Sequence, residues 1–294
     1  MNTSGDNKGV FYNNKKIADA DLTTFATLNA YYAKDSKNIY AGNSVIMGAD
    51  FATFEALNTN FSKDRDAVYI WKTKLVGADA ASFVVLNRNY AKDRDTVYHL
   101  SKTIQGADVA TFAVFNDLYA KDKNAVYYAG KKIEGAAVKT FQALNEAYGK
   151  DRTAVYSGGQ KLAGVDVATF EAMNTTYEKD KKGVYCFGKK LEGVDLATFK
   201  TLNDIYATDK NSVYARCNKM SGLNPKTFTI LDIYFSKDAT TVYSEGARII
   251  GADPATFEVL GSGYGKDKNA VYLRNQKIEG ALPTTFVVPA EAAQ

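Results

Sequence analysis

Polar and apolar positions along this chain follow one pattern that returns every 29 residues. An Asp opens each copy, and the skeleton that starts at Asp122 starts again at Asp151 without insertion or deletion. A fixed period of roughly 20–50 residues is typical of tandem-repeat proteins. We therefore predict a single array over residues 6–294, with a short lead at residues 1–5 and a frayed tail at residues 290–294. The ten repeats begin at residues 6, 35, 64, 93, 122, 151, 180, 209, 238 and 267.

The first half of each repeat has the pattern of a short β-hairpin. In the repeat that opens at Asp122, Val126 and Tyr127 precede a turn at Ala129-Gly130, and a basic and an apolar residue follow it. β-Branched and aromatic residues on one side of a turn rich in Gly or Asn are typical of two paired strands. The sequence thus predicts one hairpin in each repeat.

The second half of each repeat has the spacing of a short amphipathic helix. An Asp or Asn that can cap a helix precedes a Thr-Phe pair in most repeats, and Pro225 and Pro254 follow that cap at the first helical position. Phe141, Leu144 and Tyr148 then lie at i, i+3 and i+7, which is one face of a helix. Neither a lone hairpin nor so short a helix is stable in water, so adjacent repeats must bury their faces on each other. We predict an α+β fold of ten ββα repeats in a solenoid or superhelix, with closure into a ring left open.

Composition narrows the possible functions. The chain is 46% hydrophobic and carries a net charge of +4 from 37 basic and 33 acidic residues. A sizeable core is therefore expected, while the interleaved charges do not favour binding to nucleic acid. No apolar run approaches the roughly 20 residues that span a bilayer, so we predict no transmembrane insertion. No signal peptide is visible, which leaves two locations open: the cytoplasm, or the cell envelope or exterior if the sequence is a mature form.

Catalytic chemistry has little support in the sequence. His99 is the single histidine, so neither a catalytic triad nor a His-based metal site can be assembled. The alternating carboxylates of Asp64-Arg65-Asp66 lack the remaining ligands of a calcium loop and are expected to cap a turn instead. We therefore predict no enzyme activity, no catalytic residues, no cofactor and no metal.

The cysteines and the recurring Asn are expected to have structural roles or none. Cys186 and Cys217 lie in adjacent repeats but at different repeat positions, which favours two free thiols over one bridge between repeats. An Asn recurs one residue after the helical Leu, for example at Asn87 and Asn116. Its amide can donate and accept, so we expect it to bridge backbone groups, in some cases between repeats.

The hairpin turn is the most variable part of the repeat. Several repeat positions hold one residue type in nearly every repeat, whereas the two positions after the recurrent Tyr hold aromatic, aliphatic and basic residues. Turns point outward, so a row of varied turns is one way to build a binding surface; drift on a solvated turn is the alternative. The candidate binding residues are Tyr12, Trp71, His99, Leu100, Tyr128, Phe187, Arg216 and Arg274.

The run Asp-Lys-Asn-Ala-Val-Tyr-Tyr at residues 122–128 resembles the DKNYY family of bacterial proteins. The segments Gly-Lys-Lys-Ile-Glu-Gly at 130–135 and Asp-Pro-Ala-Thr-Phe at 253–257 are also similar to it. The resemblance covers essentially the whole chain, although Thr208 and the pair Ala239-Thr240 depart from the pattern. It implies a bacterial origin and no particular activity.

The leading functional hypothesis is a non-enzymatic scaffold that binds a protein or a surface glycan through its turns. End-to-end stacking into a homopolymer is a second version of this hypothesis. A carbohydrate-binding or carbohydrate-processing module that uses Trp71 and Tyr128, and an immunity-type protein that neutralises a toxin, are the alternatives.

Overall fold

A computed structural model describes residues 2–3, 9–13 and 15–289 of the chain. This part of the protein contains strands and turns and no helix. It therefore has no helix of the length and apolar character that crossing a membrane requires. The predicted α+β class is wrong, because the described residues form ten small antiparallel sheets. The predicted repeat origin at Asp6 and the predicted frayed tail at 290–294 lie outside the described residues.

The chain divides into two compact units, one ending at Leu162 and one beginning at Ala163. Each unit shows the 29-residue repeat, and each repeat contributes its strands at the same offsets. Neither unit taken by itself tests whether the repeats form one array, solenoid or superhelix, so that architecture stays a prediction.

The N-terminal unit holds six of the described sheets, each of them an antiparallel meander in which neighbours in sequence are neighbours in the sheet. The first sheet has three strands and the others have four. The first sheet contains β1 (Asn2–Thr3), β2 (Val10–Tyr12) and β3 (Lys15–Lys16). The four-stranded sheets contain β4 (Ala26–Thr27), β5 (Tyr32–Lys34), β6 (Ile39–Ala41) and β7 (Ser44–Val45); β8 (Glu55–Ala56), β9 (Phe61–Lys63), β10 (Val68–Ile70) and β11 (Thr73–Lys74); β12 (Val84–Val85), β13 (Tyr90–Lys92), β14 (Val97–His99) and β15 (Lys102–Thr103); β16 (Ala113–Val114), β17 (Tyr119–Lys121), β18 (Val126–Tyr128) and β19 (Lys131–Lys132); and β20 (Gln142–Ala143), β21 (Tyr148–Lys150), β22 (Val155–Ser157) and β23 (Gln160–Lys161).

The C-terminal unit holds four sheets of the same four-stranded design. They contain β24 (Glu171–Ala172), β25 (Tyr177–Asp180), β26 (Gly183–Cys186) and β27 (Lys189–Lys190); β28 (Lys200–Thr201), β29 (Tyr206–Thr208), β30 (Val213–Ala215) and β31 (Asn218–Met220); β32 (Thr229–Ile230), β33 (Phe235–Lys237), β34 (Val242–Ser244) and β35 (Ala247–Arg248); and β36 (Glu258–Gly261), β37 (Tyr264–Lys266), β38 (Val271–Leu273) and β39 (Gln276–Lys277).

The predicted hairpin is confirmed in the structure. In β18 and β19, Tyr127 pairs with Lys132 and Tyr128 pairs with Lys131 in antiparallel register around the two-residue turn. Tyr127 is almost fully buried, and Ile133, the apolar residue after the second strand, packs in one core cluster with Val126. The hairpin is thus the second half of a four-stranded meander.

The predicted helix is instead the first half of the next meander. The chain after Phe83 forms β12, reverses, and returns as β13, with Val84 paired to Lys92. The reversal is closed by hydrogen bonds from the N–H groups of Leu86 and Asn87 to the carbonyl of Tyr90, at 2.9 and 3.2 Å. Phe83 and Tyr90, seven residues apart, are both buried, but Phe83 directly precedes β12 and Tyr90 opens the opposite strand β13, so they do not share one helical face.

The hydrophobic core lies between successive repeats. One cluster, for example, contains Tyr90, Val97, Phe112, Ala120 and Tyr127, which come from three consecutive repeats. Burial of aromatic rings contributes a large share of such a core. The expectation that the recurrent Phe and Tyr are core residues is confirmed.

Candidate functional site

A buried carboxylate ties each turn to the preceding repeat. One oxygen of Asp151 accepts the N–H groups of Thr153 and Ala154 at 2.7 and 2.9 Å. The other accepts the N–H of Ala137 at 2.7 Å and the hydroxyl of Tyr156 at 2.9 Å. Burial alone would raise the pKa of Asp151, but these donors together lower it to about 2. The bond to the preceding repeat recurs at Asp35, Asp64, Asp93, Asp122, Asp180, Asp209, Asp238 and Asp267.

A salt bridge between an Asp and a Lys lies beside the equivalent turn at Asp122. Asp108 accepts the hydroxyl of Thr111 at 2.7 Å and pairs with the Nζ of Lys123 at 2.6 Å. The Lys123 hydrogen bond, followed by those of Thr111, lowers the pKa of Asp108 to about 2. Thr111 in turn accepts the N–H of Lys123. Asp64 likewise accepts the N–H groups of Asp66 and Ala67 at 2.8 and 2.7 Å, so the predicted turn-capping role of the Asp is confirmed. Among the described residues no cluster of acids, His and Cys has the arrangement of a metal site.

The recurring Asn forms a ladder between repeats. The Oδ1 of Asn87 accepts the N–H groups of Asn89 and Tyr90 at 3.0 and 2.8 Å, which holds the reversal between β12 and β13. Its Nδ2 donates to the carbonyl of Asn116 in the following repeat at 2.7 Å, and Asn116 donates to Asn145 in the same way at 3.0 Å. The expected bridging role is confirmed, and the bridge joins loops instead of helix ends.

Tyr hydroxyls form a parallel ladder beneath the hairpin turns. Tyr90 donates its hydroxyl to the carbonyl of Leu118 at 2.6 Å, and Tyr119 donates to Ala147 at 3.0 Å. The Tyr90 oxygen also accepts the N–H of Gly130 at 3.1 Å. Burial raises the pKa of Tyr90 to about 12, so the hydroxyl stays protonated at neutral pH. The Tyr90 hydroxyl therefore supports the turn at Ala129-Gly130 from an earlier repeat, and Tyr177 accepts the N–H of Cys217 in the same way at 3.3 Å.

The first turn residue of the hairpin takes a positive φ in every repeat. Trp71, Leu100 and Phe187 hold φ values of 52°, 53° and 48° at this position. A left-handed residue matches the twist of a two-residue hairpin loop, although it costs non-Gly residues on the order of 1 kcal/mol. This geometry turns the side chain away from the strand pair. The other first turn residues are Asn13, Gly42, Ala129, Gly158, Arg216, Glu245 and Arg274.

The eight predicted binding residues therefore fall into two groups. Trp71, Phe187, Arg216 and Arg274 are first turn residues and are exposed, and Leu100 holds the same position but is half-buried. The last strand residues Tyr12, His99 and Tyr128 are also half-buried. The rings of His99 and Tyr128 lie 4.8 Å from those of Tyr90 and Tyr119, their partners beneath the turns. Closeness to the turn in sequence does not distinguish exposed from half-buried residues. The last strand residue of one repeat packs against the hairpin turn of the following repeat.

Three of the predicted residues meet in one groove of the N-terminal unit. Trp71, His99 and Leu100 line a groove of about 460 Å³. Sequence analysis missed its remaining wall, which includes Lys102, Thr103, Ile104, Gly130 and Lys131. The sequence did contain a sign of this groove: the side chains of the first turn residues decrease in size from Trp to Leu to Ala over three consecutive repeats.

Trp71 and His99 are held in place within this groove. The indole Nε1 of Trp71 donates to the Oδ1 of Asn60 at 3.2 Å, which orients a ring that is 43% exposed. Burial, and secondarily the charge of Lys102, lowers the pKa of His99, so its imidazole is neutral. The Nε2 of His99 is buried and has no hydrogen-bond partner among the described residues. The groove thus offers a fixed aromatic ring, a neutral imidazole and two cations.

The other turn residues, in the C-terminal unit, include an ionic group. Glu245, a first turn residue that sequence analysis did not select, lies 3.9 Å from Arg216 and 3.8 Å from Arg274. Arg274 also lies over the ring of Tyr234, 5.3 Å from its centroid. The two predicted arginines are thus brought together by a carboxylate. Phe187 is 63% exposed.

The preference for two free thiols is wrong. Cys186, the last residue of its strand, is bonded to Cys217, the second turn residue of the following repeat, with a Cα–Cα distance of 5.7 Å. The two cysteines hold different repeat positions because successive turns are offset, which brings these positions into contact. Gly130 makes the same contact, since a Cβ built on it would lie 2.7 Å from the Cβ of His99.

Buried polar ladders, small meanders and exposed variable turns define a tandem-repeat β-protein. The DKNYY family model matches residues 4–131, 130–189, 177–237 and 234–292, so the chain belongs to the DKNYY family. No curated protein and no solved structure matches it. The family assignment expected from residues 122–128 is confirmed.

Proposed function

We propose that this protein is a non-enzymatic bacterial scaffold that binds a protein or surface partner on its hairpin turns. The repeated polar residues support this proposal, because their hydrogen-bonding groups are largely consumed in holding the repeats together. The first turn residues vary instead, and several are exposed. A fold that fixes its frame and varies its outward positions is suited to recognition.

The groove beside Trp71 is the observation that carries the proposal. Its first turn residues, Trp71, Leu100 and Ala129, decrease in size over three repeats and leave a step next to the indole ring. A fixed, partly exposed Trp beside a concave apolar wall resembles the anchor points of protein interfaces. Lys102 and Lys131 add positive charge to this wall. The favoured partner therefore presents an apolar group next to acidic ones.

The disulfide supports a location outside the cytoplasm. The bridge between Cys186 and Cys217 joins two repeats. Structural disulfides persist in the periplasm or outside the cell and are rare in a reducing cytoplasm. A partner on or near the cell surface agrees with this placement.

Saccharide binding is the second candidate for the same groove. Sugar rings place an apolar face on aromatic side chains while their hydroxyls bond to polar neighbours. Trp71 offers the ring, and Thr103 and Lys102 lie in the same groove. Tyr128, the other residue predicted for this role, is absent from the lining and packs on Tyr119 instead.

A paired array experiment tests the proposal. The purified protein, its Trp71→Ala variant and a Val76→Ala control are applied to defined peptide and glycan arrays. Val76 lies in the same repeat and is 85% exposed, so its loss removes a surface side chain without touching the groove. We expect ligands that the wild type and Val76→Ala retain and that Trp71→Ala loses. Identical binding by all three proteins, or binding by none, contradicts the proposal.

A further inference from the structure

One repeat lacks a lysine that, in four other repeats, donates a hydrogen bond to the following repeat. The strand that ends with Lys63, Lys92, Lys237 or Lys266 elsewhere ends with Thr208 in its own repeat. Those four lysines each donate from Nζ to a backbone carbonyl of the following repeat. The acceptors are Ala80 at 3.2 Å, Val109 at 2.9 Å, Pro254 at 2.7 Å and Pro283 at 3.3 Å.

Thr208 bonds instead to carbonyls close to it in the chain. Its side chain is buried, and its hydroxyl lies within hydrogen-bond distance of the backbone carbonyls of Asp209 and Ser212, at 3.0 and 2.9 Å. The carbonyl of Pro225, the counterpart of Pro254, therefore receives no lysine from this position. A groove of about 680 Å³ lies here, lined among others by Thr208, Pro225 and Phe228.

Two further departures make the rim of this groove basic. Lys200 lies opposite Thr208 in β28, whereas Glu171 and Glu258 lie opposite lysines in the equivalent pairs. Lys226 holds a position where the next repeat has Ala255. Both side chains are exposed, and neither forms an ion pair within 4 Å among the described residues.

The one acid among the described residues that line this groove already accepts hydrogen bonds from the protein. Asp209 is buried and accepts the N–H of Asp195 and the hydroxyl of Tyr214, both at 2.9 Å. Lys210, a third lysine of the lining, pairs with Asp195 at 2.6 Å. The charge that the groove offers to a ligand therefore comes from Lys200 and Lys226.

We propose that this groove binds an acidic sugar, specifically a uronate residue of an anionic polysaccharide. Lys200 and Lys226 favour an anion, the carbonyl of Pro225 can accept a hydrogen bond, and the half-buried ring of Phe228 offers an apolar surface. A uronate supplies a carboxylate, hydroxyl donors and an apolar ring face in one unit. An acidic peptide carries its carboxylate, its donor and its apolar surface on separate groups of a flexible chain, and free phosphate lacks the apolar face. None of the predicted turn residues lines this groove, so the inference is independent of the partner proposed for the turns.

The repeats themselves supply variants that are expected to fold. Thr208→Lys restores the lysine of the other repeats, and Lys226→Ala installs the residue of the next repeat. Lys200→Glu combined with Thr208→Lys gives the Glu-Lys pair that three other repeats have. Lys237→Thr is the matched control. It removes the equivalent lysine where the opposing residue is Thr229 and the following repeat carries Ala255, so no added cation lines the space.

Binding of trigalacturonate by titration calorimetry tests the assignment. We expect wild type and Lys237→Thr to bind equally, in a manner weakened by salt, and Thr208→Lys and Lys226→Ala to bind about tenfold more weakly or not at all. Circular dichroism melting confirms that each variant is folded. The inference is overturned if the wild type does not bind, if Thr208→Lys binds like the wild type, or if neutral galactotriose, tetraglutamate or inorganic phosphate binds as tightly as trigalacturonate.

Discussion

Cys186 is covalently bonded to Cys217 at a pair of positions that contact each other in other repeats without a bond. A Cβ on Gly246 would lie 3.4 Å from the Cβ of Ala215, and these two residues hold the same two repeat positions. The disulfide therefore replaces a packing contact that the fold already provides. It joins neighbouring repeats without requiring a different backbone path.

This relationship predicts how the bridge affects stability. We expect a reductant to lower the melting temperature of the wild type, because opening a closed loop of this size removes about 3–4 kcal/mol by chain entropy. The variant Cys186→Ala/Cys217→Gly copies the Ala215–Gly246 contact, so it should fold. Its melting temperature should be close to that of the reduced wild type and should not change when reductant is added. Melting curves by circular dichroism with and without reductant check this. A wild type that melts identically in both conditions contradicts it.

The buried aspartates predict a loss of stability in acid. Hydrogen bonds hold the folded pKa of Asp151 at about 2, below its ordinary 3.8, despite the opposing effect of burial. The pKa is lowered in the same direction at Asp35, Asp64, Asp93, Asp122, Asp209 and Asp238. A lowered folded pKa contributes stability above about pH 4, and that contribution is lost as the pH falls towards 2.

Urea unfolding at pH 7, 5, 4 and 3 measures this effect. The wild type should lose unfolding free energy mainly below pH 4. Asp151→Asn should be less stable than wild type at pH 7, and the difference should narrow at pH 3 because one titrating group is missing. A difference that stays constant over the whole pH range would show that the carboxylate charge of Asp151 is not the source.

The Asn ladder predicts two separable contributions. Asn87 accepts two N–H groups of its own loop and donates to the carbonyl of Asn116. Asp232 holds the same position in another repeat and keeps only the local bonds, to Tyr234 and Phe235. Asn87→Asp should thus lose only the bond between repeats, at about 1 kcal/mol, whereas Asn87→Ala should cost about twice as much or more. Equal losses in urea unfolding would refute the division.

The offset of successive turns predicts different tolerance at two glycines. Gly130 and Gly135 both have φ 74°, so an Ala is strained at either. At Gly130 its Cβ would also lie 2.7 Å from the Cβ of His99, whereas at Gly135 no atom lies within 4 Å. Gly135→Ala should cost about 1 kcal/mol from backbone strain, and Gly130→Ala at least about 1–2 kcal/mol more from overpacking. Similar melting temperatures for the two variants would contradict the contact.

The sequence was sufficient to predict the features that depend on neighbours along the chain. The hairpin around Ala129 and Gly130, the capping Asp and the buried aromatics follow from local turn chemistry and from repetition. The helix prediction was wrong because Phe83, Leu86 and Tyr90 have helical spacing, while the carboxamide of Asn87 closes a tight reversal instead. The same stretch of sequence can therefore combine helical spacing of its apolar residues with an Asn that closes a tight reversal.

The disulfide and the grooves depend on how repeats meet, which the sequence alone did not provide. Because Cys186 and Cys217 hold non-equivalent repeat positions, the sequence favoured free thiols over a bridge, whereas the contact between repeats joins non-equivalent positions. Thr208 was recognised as a departure, but its consequence required the lysine contact at Pro254 and its counterparts. If the offset between neighbouring repeats is known, both the disulfide and the consequence of Thr208 can be inferred from a sequence.

The buried ladders hold the fold, while the exposed first turn residues are available for binding. The unfolding free energy of Trp71→Ala and Phe187→Ala tests it most directly. Because these side chains are 43% and 63% exposed, we predict a loss of about 1 kcal/mol or less for each, smaller than the loss for Asn87→Ala. A loss of several kcal/mol for either variant would show that the turn residue belongs to the structural frame, and would contradict the account.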